Sequence, residues 1–168
     1  SLTHGEGYLT DHAPAPIRRL AGLPIPRDRS LELRTPIADR EVFDGVVLRI
    51  LESHCTSCHN PGKLKGELKL DSYEGVMAGG ESGPAVVAGE PDASELVKRV
   101  QLPLDDKAHM PPKGKAPLTD DETTVLAWWI EAGVPRAGTL RAVKAPAEIR
   151  VVFARTLPEG ERDGVTFV

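Results

Sequence analysis

Apolar residues recur at helical spacing between residues 37 and 54, so this stretch predicts the first helix. Thr35 and Pro36 have the form of an N-cap followed by proline at the first helical position. Gly45 interrupts the helix at a cost in helix stability, and we expect it to allow close approach of another helix. The residues of the apolar face are Val42, Phe43, Val46, Val47, Ile50 and Leu51.

Two further helices are predicted downstream, each opened by a capping-box pattern. The segment 92–95 (Asp-Ala-Ser-Glu) opens a short helix that ends near Gln101, with its apolar residues facing inward. The segment 119–122 (Thr-Asp-Asp-Glu) opens a longer helix that stops at Gly133 and Pro135. Between the first helix and these two, the glycine-rich stretch 60–91 predicts tight turns rather than regular structure.

The two ends of the chain differ from this helical centre. Residues 1–36 are rich in proline, which prevents a continuous helix. They form either a disordered leader or an arm packed on the domain. Beyond Pro135, residues 149–153 and 165–167 alternate apolar with other residues around the turn-like Asp163-Gly164, which predicts a short C-terminal β-hairpin or a linker. The expected organisation is therefore an N-terminal extension 1–36, a helical domain 37–136 and a C-terminal extension 137–168.

Composition limits the functional classes. The formal charge is −4 with a pI near 5.7, and the sequence contains no basic patch, so we expect no nucleic-acid partner. No apolar run reaches the length of a membrane span, and no export signal stands at the N-terminus. Aromatic residues make up only 4% of the chain, so a bound macrocycle would supply apolar core that the sequence lacks.

Residues 55–59, Cys-Thr-Ser-Cys-His, form the C-x-x-C-H pattern by which c-type haem is attached. Two thiols at this spacing can add to the two vinyl groups on one edge of a porphyrin, and the adjacent imidazole reaches the iron. Cys55 and Cys58 are the only cysteines of the chain. We therefore predict one covalent haem c, attached through Cys55 and Cys58, with His59 as an iron ligand.

Two other uses of these cysteines need further features in the sequence. A thioredoxin-type disulfide would need a βαβ setting, whereas the flanking residues indicate helix. A zinc site would need two more ligands, and the remaining histidines provide no second pair at close spacing. These histidines are His4, His12, His54 and His109.

Met110, followed by Pro111 and Pro112, is the candidate for the second axial ligand of the iron. A thioether on a proline-stiffened loop loses little entropy when it is held on a metal. His109 is its direct competitor, because two adjacent side chains cannot both face the iron. The only other methionine, Met77, follows the haem signature too closely and lies in a glycine-flanked loop.

Three apolar side chains of the loop and the two tryptophans are further candidates for contact with the haem. We expect Leu64, Leu68 and Leu70 to line the haem edge. One tryptophan of the closing helix, Trp128 or Trp129, should pack on Phe43 and Gly45. The other would lie at the haem edge with its indole N–H offered to a propionate, unless both belong to the core.

Together these motifs resemble a class I monohaem cytochrome c and, over residues about 40–136, the planctomycete-type cytochrome c domain. The matching segments are 55–59, 68–73, 79–84, 110–113 and 129–133. The resemblance implies a small all-α cytochrome c fold around a covalent haem, with Cys55 and Cys58 as attachment sites, His59 as proximal ligand and Met110 as distal ligand.

The resemblance implies one-electron transfer rather than enzymatic catalysis. The alternative is a haem-based gas sensor or peroxidase-like enzyme with a displaceable sixth ligand, which His109 beside Met110 keeps open. A third interpretation is a haem module that relays electrons within a larger enzyme. The expected partners are unidentified redox proteins, and the acidic charge of the chain favours basic or apolar ones.

The surroundings of the domain follow from the same resemblance. Residues 2–10 are similar to a segment that follows a membrane domain in some relatives. Because haem c is attached outside the cytoplasm, we expect a periplasmic or other extracytoplasmic location, with a membrane contact only through an anchor of a parent chain.

Overall fold

The computed structural model describes residues 36–158, and within them the chain is helical and contains no β-strand. The α-helices of these residues are α1 (Leu48–His54), α2 (Tyr73–Ala78), α3 (Glu95–Gln101), α4 (Asp120–Glu131) and α5 (Ala147–Thr156). A π-helical segment, Phe43–Val47, runs directly into α1. Short 3₁₀ turns occupy Ile37–Asp39, Lys65–Glu67 and Pro91–Ala93. The predicted all-α class is confirmed for these residues.

The first helix begins later than the sequence predicts. Pro36 caps the 3₁₀ turn Ile37–Asp39 instead of starting a continuous helix, and the chain is then extended at Arg40. The interruption exists because this backbone pairs with a distant segment: Leu140 N–H donates to Arg40 O at 3.0 Å, and Val42 N–H donates to Gly138 O at 3.0 Å. The expected single helix over 37–54 is therefore wrong in its first turns.

The closing helix follows its sequence signals closely. Thr119 Oγ1 accepts from Glu122 N–H at 3.1 Å, and the Glu122 carboxylate accepts from Thr119 N–H at 2.8 Å, so the predicted capping box is present. Gly133 ends α4 with a φ of 92°, a conformation that favours glycine. The capping box predicted at 92–95 is wrong, because Ser94 is the N-cap and its hydroxyl serves Val87 and Glu90 instead.

The predicted C-terminal hairpin is wrong in its first strand. Residues 147–156 form α5, and the buried residues Ile149, Val152 and Phe153 stand three and four positions apart, which is helical spacing. The alternation seen in the sequence describes only part of this apolar face, since Val151 is just half-buried. The second predicted strand, 165–167, and the proline-rich arm 1–35 lie outside the described residues.

One hydrophobic core joins the helices. It contains Phe43, Leu51, Trp129, Phe153 and Leu157, and α5 packs along α4. The segment after residue 136 therefore shares the core of the preceding helices, although the domain boundaries themselves stay predictions. Within residues 36–158, no helix combines the length and the apolar character needed to cross a membrane.

Gly45 does not provide the expected close approach of another helix. A Cβ placed on Gly45 would meet Arg40 Cβ at 3.6 Å, an ordinary van der Waals contact within the same stretch of chain. The predicted packing of a tryptophan on Phe43 is present, since the rings of Phe43 and Trp129 lie 5.7 Å apart between centroids. Tyr73 completes this aromatic cluster at 5.2 Å from Phe43.

Candidate functional site

A cavity of about 390 Å³ is lined by the cysteine–histidine signature, by α3 and by the loops 65–70, 80–85 and 110–115. Cys55, Cys58, His59 and Met110 all line it. Its size lies within the usual range for small-molecule sites. Apolar wall is supplied by Leu68, Leu70, Ala85, Leu96, Val100 and Pro111. The structure thus brings together all four residues that the sequence singles out.

The haem signature forms a turn that extends α1. Cys55 N–H donates to Leu51 O at 2.7 Å, which continues the helix hydrogen bonding. Cys58 and His59 then both donate backbone N–H groups to Cys55 O, at 3.2 and 3.1 Å. This turn places both thiols and the imidazole in the wall of one cavity.

His59 is oriented by the backbone of the following turn. Its Nδ1 lies 2.9 Å from Lys65 O, and since a carbonyl oxygen can only accept, Nδ1 carries the proton. The other ring nitrogen, Nε2, is then the one with a lone pair. A hydrogen bond of this kind fixes the tautomer and the ring plane of a metal-ligating histidine.

The two thiols differ in environment. Burial raises the pKa of Cys55 to about 12, with a further contribution from the Glu122 carboxylate. The pKa of Cys58 is lowered, mainly by the Ser57 hydroxyl and also by the Lys115 and Lys63 cations. Lys115 Nζ donates to Ser57 Oγ at 2.6 Å, which places this cation beside Cys58. The Cys58 edge of the cavity is accordingly polar and the Cys55 edge is enclosed.

Met110 and His109 are separated by the fold. Met110 N–H donates to Arg99 O at 3.1 Å, and its side chain lines the cavity. His109 is absent from the cavity wall, is only 4% exposed, and its Nδ1 donates to Pro111 O at 2.8 Å. Of the two competitors, Met110 is the one that faces the site.

The other histidine and methionine near the signature, His54 and Met77, are not positioned to act as axial ligands. His54 touches the cavity wall, but its ring nitrogens lie 3.1 Å from Ala116 O and 3.0 Å from Glu122 Oε2, so both are engaged. Met77 is 40% exposed on α2 and does not line the cavity. Among the described residues, no three His, Cys, Asp or Glu side chains cluster in a way that could hold a metal ion, so no zinc site is found there.

Several expectations for the cavity wall need correction. Leu68 and Leu70 line it as predicted, whereas Leu64 does not and is 38% exposed. Neither tryptophan reaches the cavity, and the Trp129 indole N–H donates to Pro135 O at 3.0 Å. The alternative that both tryptophans belong to the core is the correct one.

The loop Gly80–Pro84 is one part of the cavity wall that the sequence does not predict, because its glycines indicate only tight turns. The loop lines the cavity and closes on itself through a bridge between Gly80 and Gly83, and Glu81 N–H donates to Gly66 O at 2.8 Å. A Cβ on Gly80 would stand 2.5 Å from Gly66 O, so this position requires glycine for close approach of two loops. The paired Gly79-Gly80 was the available signal of such an approach.

The residues fit a covalent haem. Two thiols at attachment spacing, an oriented imidazole and a thioether line one cavity whose wall is largely apolar, which is the donor set of a c-type cytochrome. The helical fold and the site are therefore consistent with a domain of the cytochrome c class.

Residues 55–114 match the model of the family described as planctomycete cytochrome C. The match supports a planctomycete-type cytochrome c domain over these residues, and the proteins of this class carry covalent haem c for electron transfer. The match begins at Cys55 and ends at Gly114, so it covers the cavity-forming loops and leaves α4 and α5 outside. A search of curated proteins and a search of solved structures each returned no match.

Proposed function

We propose that this protein transfers single electrons through one haem c that is bound to Cys55 and Cys58 and ligated by His59 and Met110. The observation that carries the proposal is that all four side chains line one and the same cavity, whereas His109 does not line it. When bound, haem supplies a one-electron iron couple, and a methionine ligand favours the reduced form.

The protein's own residues would hold the ligands in place during this exchange. Lys65 O fixes the His59 ring, and Arg99 O holds the backbone of Met110. Because backbone carbonyl oxygens hold the His59 ring and the Met110 main chain, we expect the two ligands to move little when the charge on the iron changes. A fixed ligand set keeps the reorganisation cost of electron transfer small.

Electrons would enter and leave at the Cys58 edge. Lys63 and Lys115 contribute positive charge there, although the chain as a whole is acidic. We therefore expect an acidic partner surface at this edge, which reverses the preference for basic partners that follows from net charge alone. Electron exchange with a polyanionic oxidant should accordingly slow as ionic strength rises.

The cellular setting belongs to the same proposal. Attachment of haem c outside the cytoplasm favours a periplasmic or other extracytoplasmic location. Membrane attachment through a parent chain, and service to a fused or partner oxidoreductase, would give the domain a physiological electron donor and acceptor.

The test is the absorption spectrum of the purified holoprotein, oxidised and reduced, with and without carbon monoxide. A sulfur-to-iron band in the ferric protein and indifference of the ferrous protein to carbon monoxide are expected. The double variant Cys55→Ala/Cys58→Ala should lose covalent haem, measured by the intact mass. Ready carbon monoxide binding by the wild type would instead favour the gas sensor or peroxidase-like enzyme. Absence of haem would favour a thiol–disulfide pair formed by Cys55 and Cys58.

A further inference from the structure

The charged side chains on the cavity wall divide by location. They are Lys65, Glu81, Glu95, Arg99 and Lys115, together with the histidines already described. Lys115 belongs to the attachment edge, since its Nζ lies 3.6 Å from Cys58 Sγ. Lys65 belongs to the His59 side, where its carbonyl oxygen orients the imidazole. Arg99 is the remaining Lys or Arg side chain that the described residues contribute to the wall.

Arg99 stands on α3, on the side of the cavity that carries Met110. Its carbonyl oxygen accepts from Met110 N–H at 3.1 Å, and Leu96 and Val100 of the same helix also line the cavity. Its side chain is one-third exposed, and Nε donates to Glu95 Oε1 at 3.0 Å. Within residues 36–158 the structure gives no hydrogen bond from its two Nη groups, so the outer donors of the guanidinium fork remain available.

A haem bound to the two cysteines would place its propionate carboxylates where they need hydrogen-bond donors or cations. The vinyl groups lie on one edge of the porphyrin, and two propionate carboxylates project from another edge, away from the thioether bonds. A carboxylate drawn into an apolar-walled cavity is costly unless it is paired or hydrogen-bonded. A tryptophan indole cannot donate to a propionate here. Trp129 Nε1 donates to Pro135 O instead, and Trp128 does not line the cavity.

We infer that Arg99 binds a haem propionate through its Nη groups, with Glu95 holding the guanidinium in position through Nε. This inference rests on the haem of the proposed function. A planar guanidinium matches a carboxylate with two parallel N–H donors, and such charge-assisted bonds are stronger than neutral ones. Arg99 thereby has two roles at one position: its main chain holds the Met110 loop, and its side chain orients the haem and adds positive charge near the iron.

The chain offers a matched control on the same helix. Lys98 is also a cation beside Glu95, with Nζ 4.0 Å from Glu95 Oε2, but it is 53% exposed and does not line the cavity. Arg99→Gln and Lys98→Gln therefore remove the same charge from neighbouring positions, and only the first removes a donor from the cavity wall. Glu95→Gln breaks the pair with Arg99 while leaving the guanidinium in place.

The experiment measures the reduction potential of the holoproteins as a function of pH by spectroelectrochemistry. Arg99→Gln should lower the potential at neutral pH, because the oxidised iron is less disfavoured without the nearby cation. It should also move the pH-dependent segment of the curve, which reports propionate protonation, towards higher pH. Lys98→Gln should change neither the potential nor the position of the pH-dependent segment, and Glu95→Gln should not lower the potential. Arg99→Lys should have a potential between those of Arg99→Gln and the wild type.

Indistinguishable curves for Arg99→Gln and Lys98→Gln would overturn the inference. If Arg99→Gln does not fold, infrared difference spectra of the wild type and Arg99→Lys with ¹³C-carboxyl haem decide the matter, and unchanged propionate bands would contradict it. The proposed function fails separately, through absence of haem or of the sulfur-to-iron band in the wild type, before any variant of α3 is compared.

Discussion

Met110 and His109 are neighbours in the chain but face different surroundings: Met110 lines the cavity, and His109 is buried with Nδ1 bonded to Pro111 O at 2.8 Å. The backbone bond from Met110 N–H to Arg99 O sets this orientation. A choice between two chemically competent ligands is thus made by the main chain of one loop.

Replacement of Met110 tests this choice directly. Met110→Ala should abolish the sulfur-to-iron band of the ferric protein and lower the reduction potential by a fraction of the about 0.8 V range over which axial ligands set haem potentials. Met77→Ala is the matched control, since Met77 is exposed on α2 and should leave spectrum and potential unchanged. A surviving sulfur band in Met110→Ala, lost instead in Met77→Ala, would contradict the assignment.

His54 should act in stability rather than in ligation. Its ring lies between Ala116 O and the Glu122 carboxylate. The same carboxylate also accepts from Thr119 N–H at the start of α4, and the side chains of His54 and Glu122 are largely buried. His54→Ala should lower the free energy of unfolding by about 1.5 kcal/mol, the scale of a hydrogen bond to a charged group.

Chemical denaturation of the His54→Ala holoprotein measures the loss, with the exposed Ser53→Ala as control. The ferric spectrum of His54→Ala should match that of the wild type. A changed axial-ligand band would show that His54 has a role at the iron.

Gly80 and Gly45 should respond in opposite ways to the same substitution. Gly80→Ala places a methyl group against Gly66 O, so the two cavity-forming loops must separate, and an overpacking cost of about 1–3 kcal/mol is expected. Gly45→Ala meets only ordinary contacts and should lose no stability, since alanine favours helix over glycine. Thermal melting of the two variants measures the difference. Equal stability of both variants would refute the close-approach argument.

The Glu74–Arg136 pair should make a small contribution that depends on pH. Glu74 has a lowered pKa, mainly through a backbone hydrogen bond and then through the Arg136 side chain. A carboxyl group whose pKa is lower in the folded than in the unfolded state stabilises the fold above its ordinary pKa and loses this effect as pH falls through the folded value.

Melting temperatures recorded from pH 7 to pH 3 provide the measurement. The wild type should lose more stability than Glu74→Gln over the acid part of this range, and the two should converge at the lowest pH. The contribution is expected to be minor because both side chains are exposed. Parallel curves across the range would contradict the proposed cause.

The features that the sequence determined by itself are those set by neighbouring residues. The attachment spacing of Cys55, Cys58 and His59 is a property of five consecutive positions. The capping box at Thr119 and Glu122 and the end of α4 at Gly133 are also local, since each satisfies backbone groups within one helical turn. Such short-range rules do not depend on the rest of the fold, and the structure agrees with them.

Tertiary structure decided what depends on distant segments. The pairing of residues 38–42 with 138–141 interrupts the first helix, and packing on α4 makes α5 helical where local alternation predicts a strand. The same holds for the site: contact with Arg99 selects Met110 over His109, and the close approach of Gly66 and Gly80 joins two loops of the cavity wall. These contacts join residues far apart in the chain, and the free energy of burial that selects them is a property of the assembled core, which no local pattern contains.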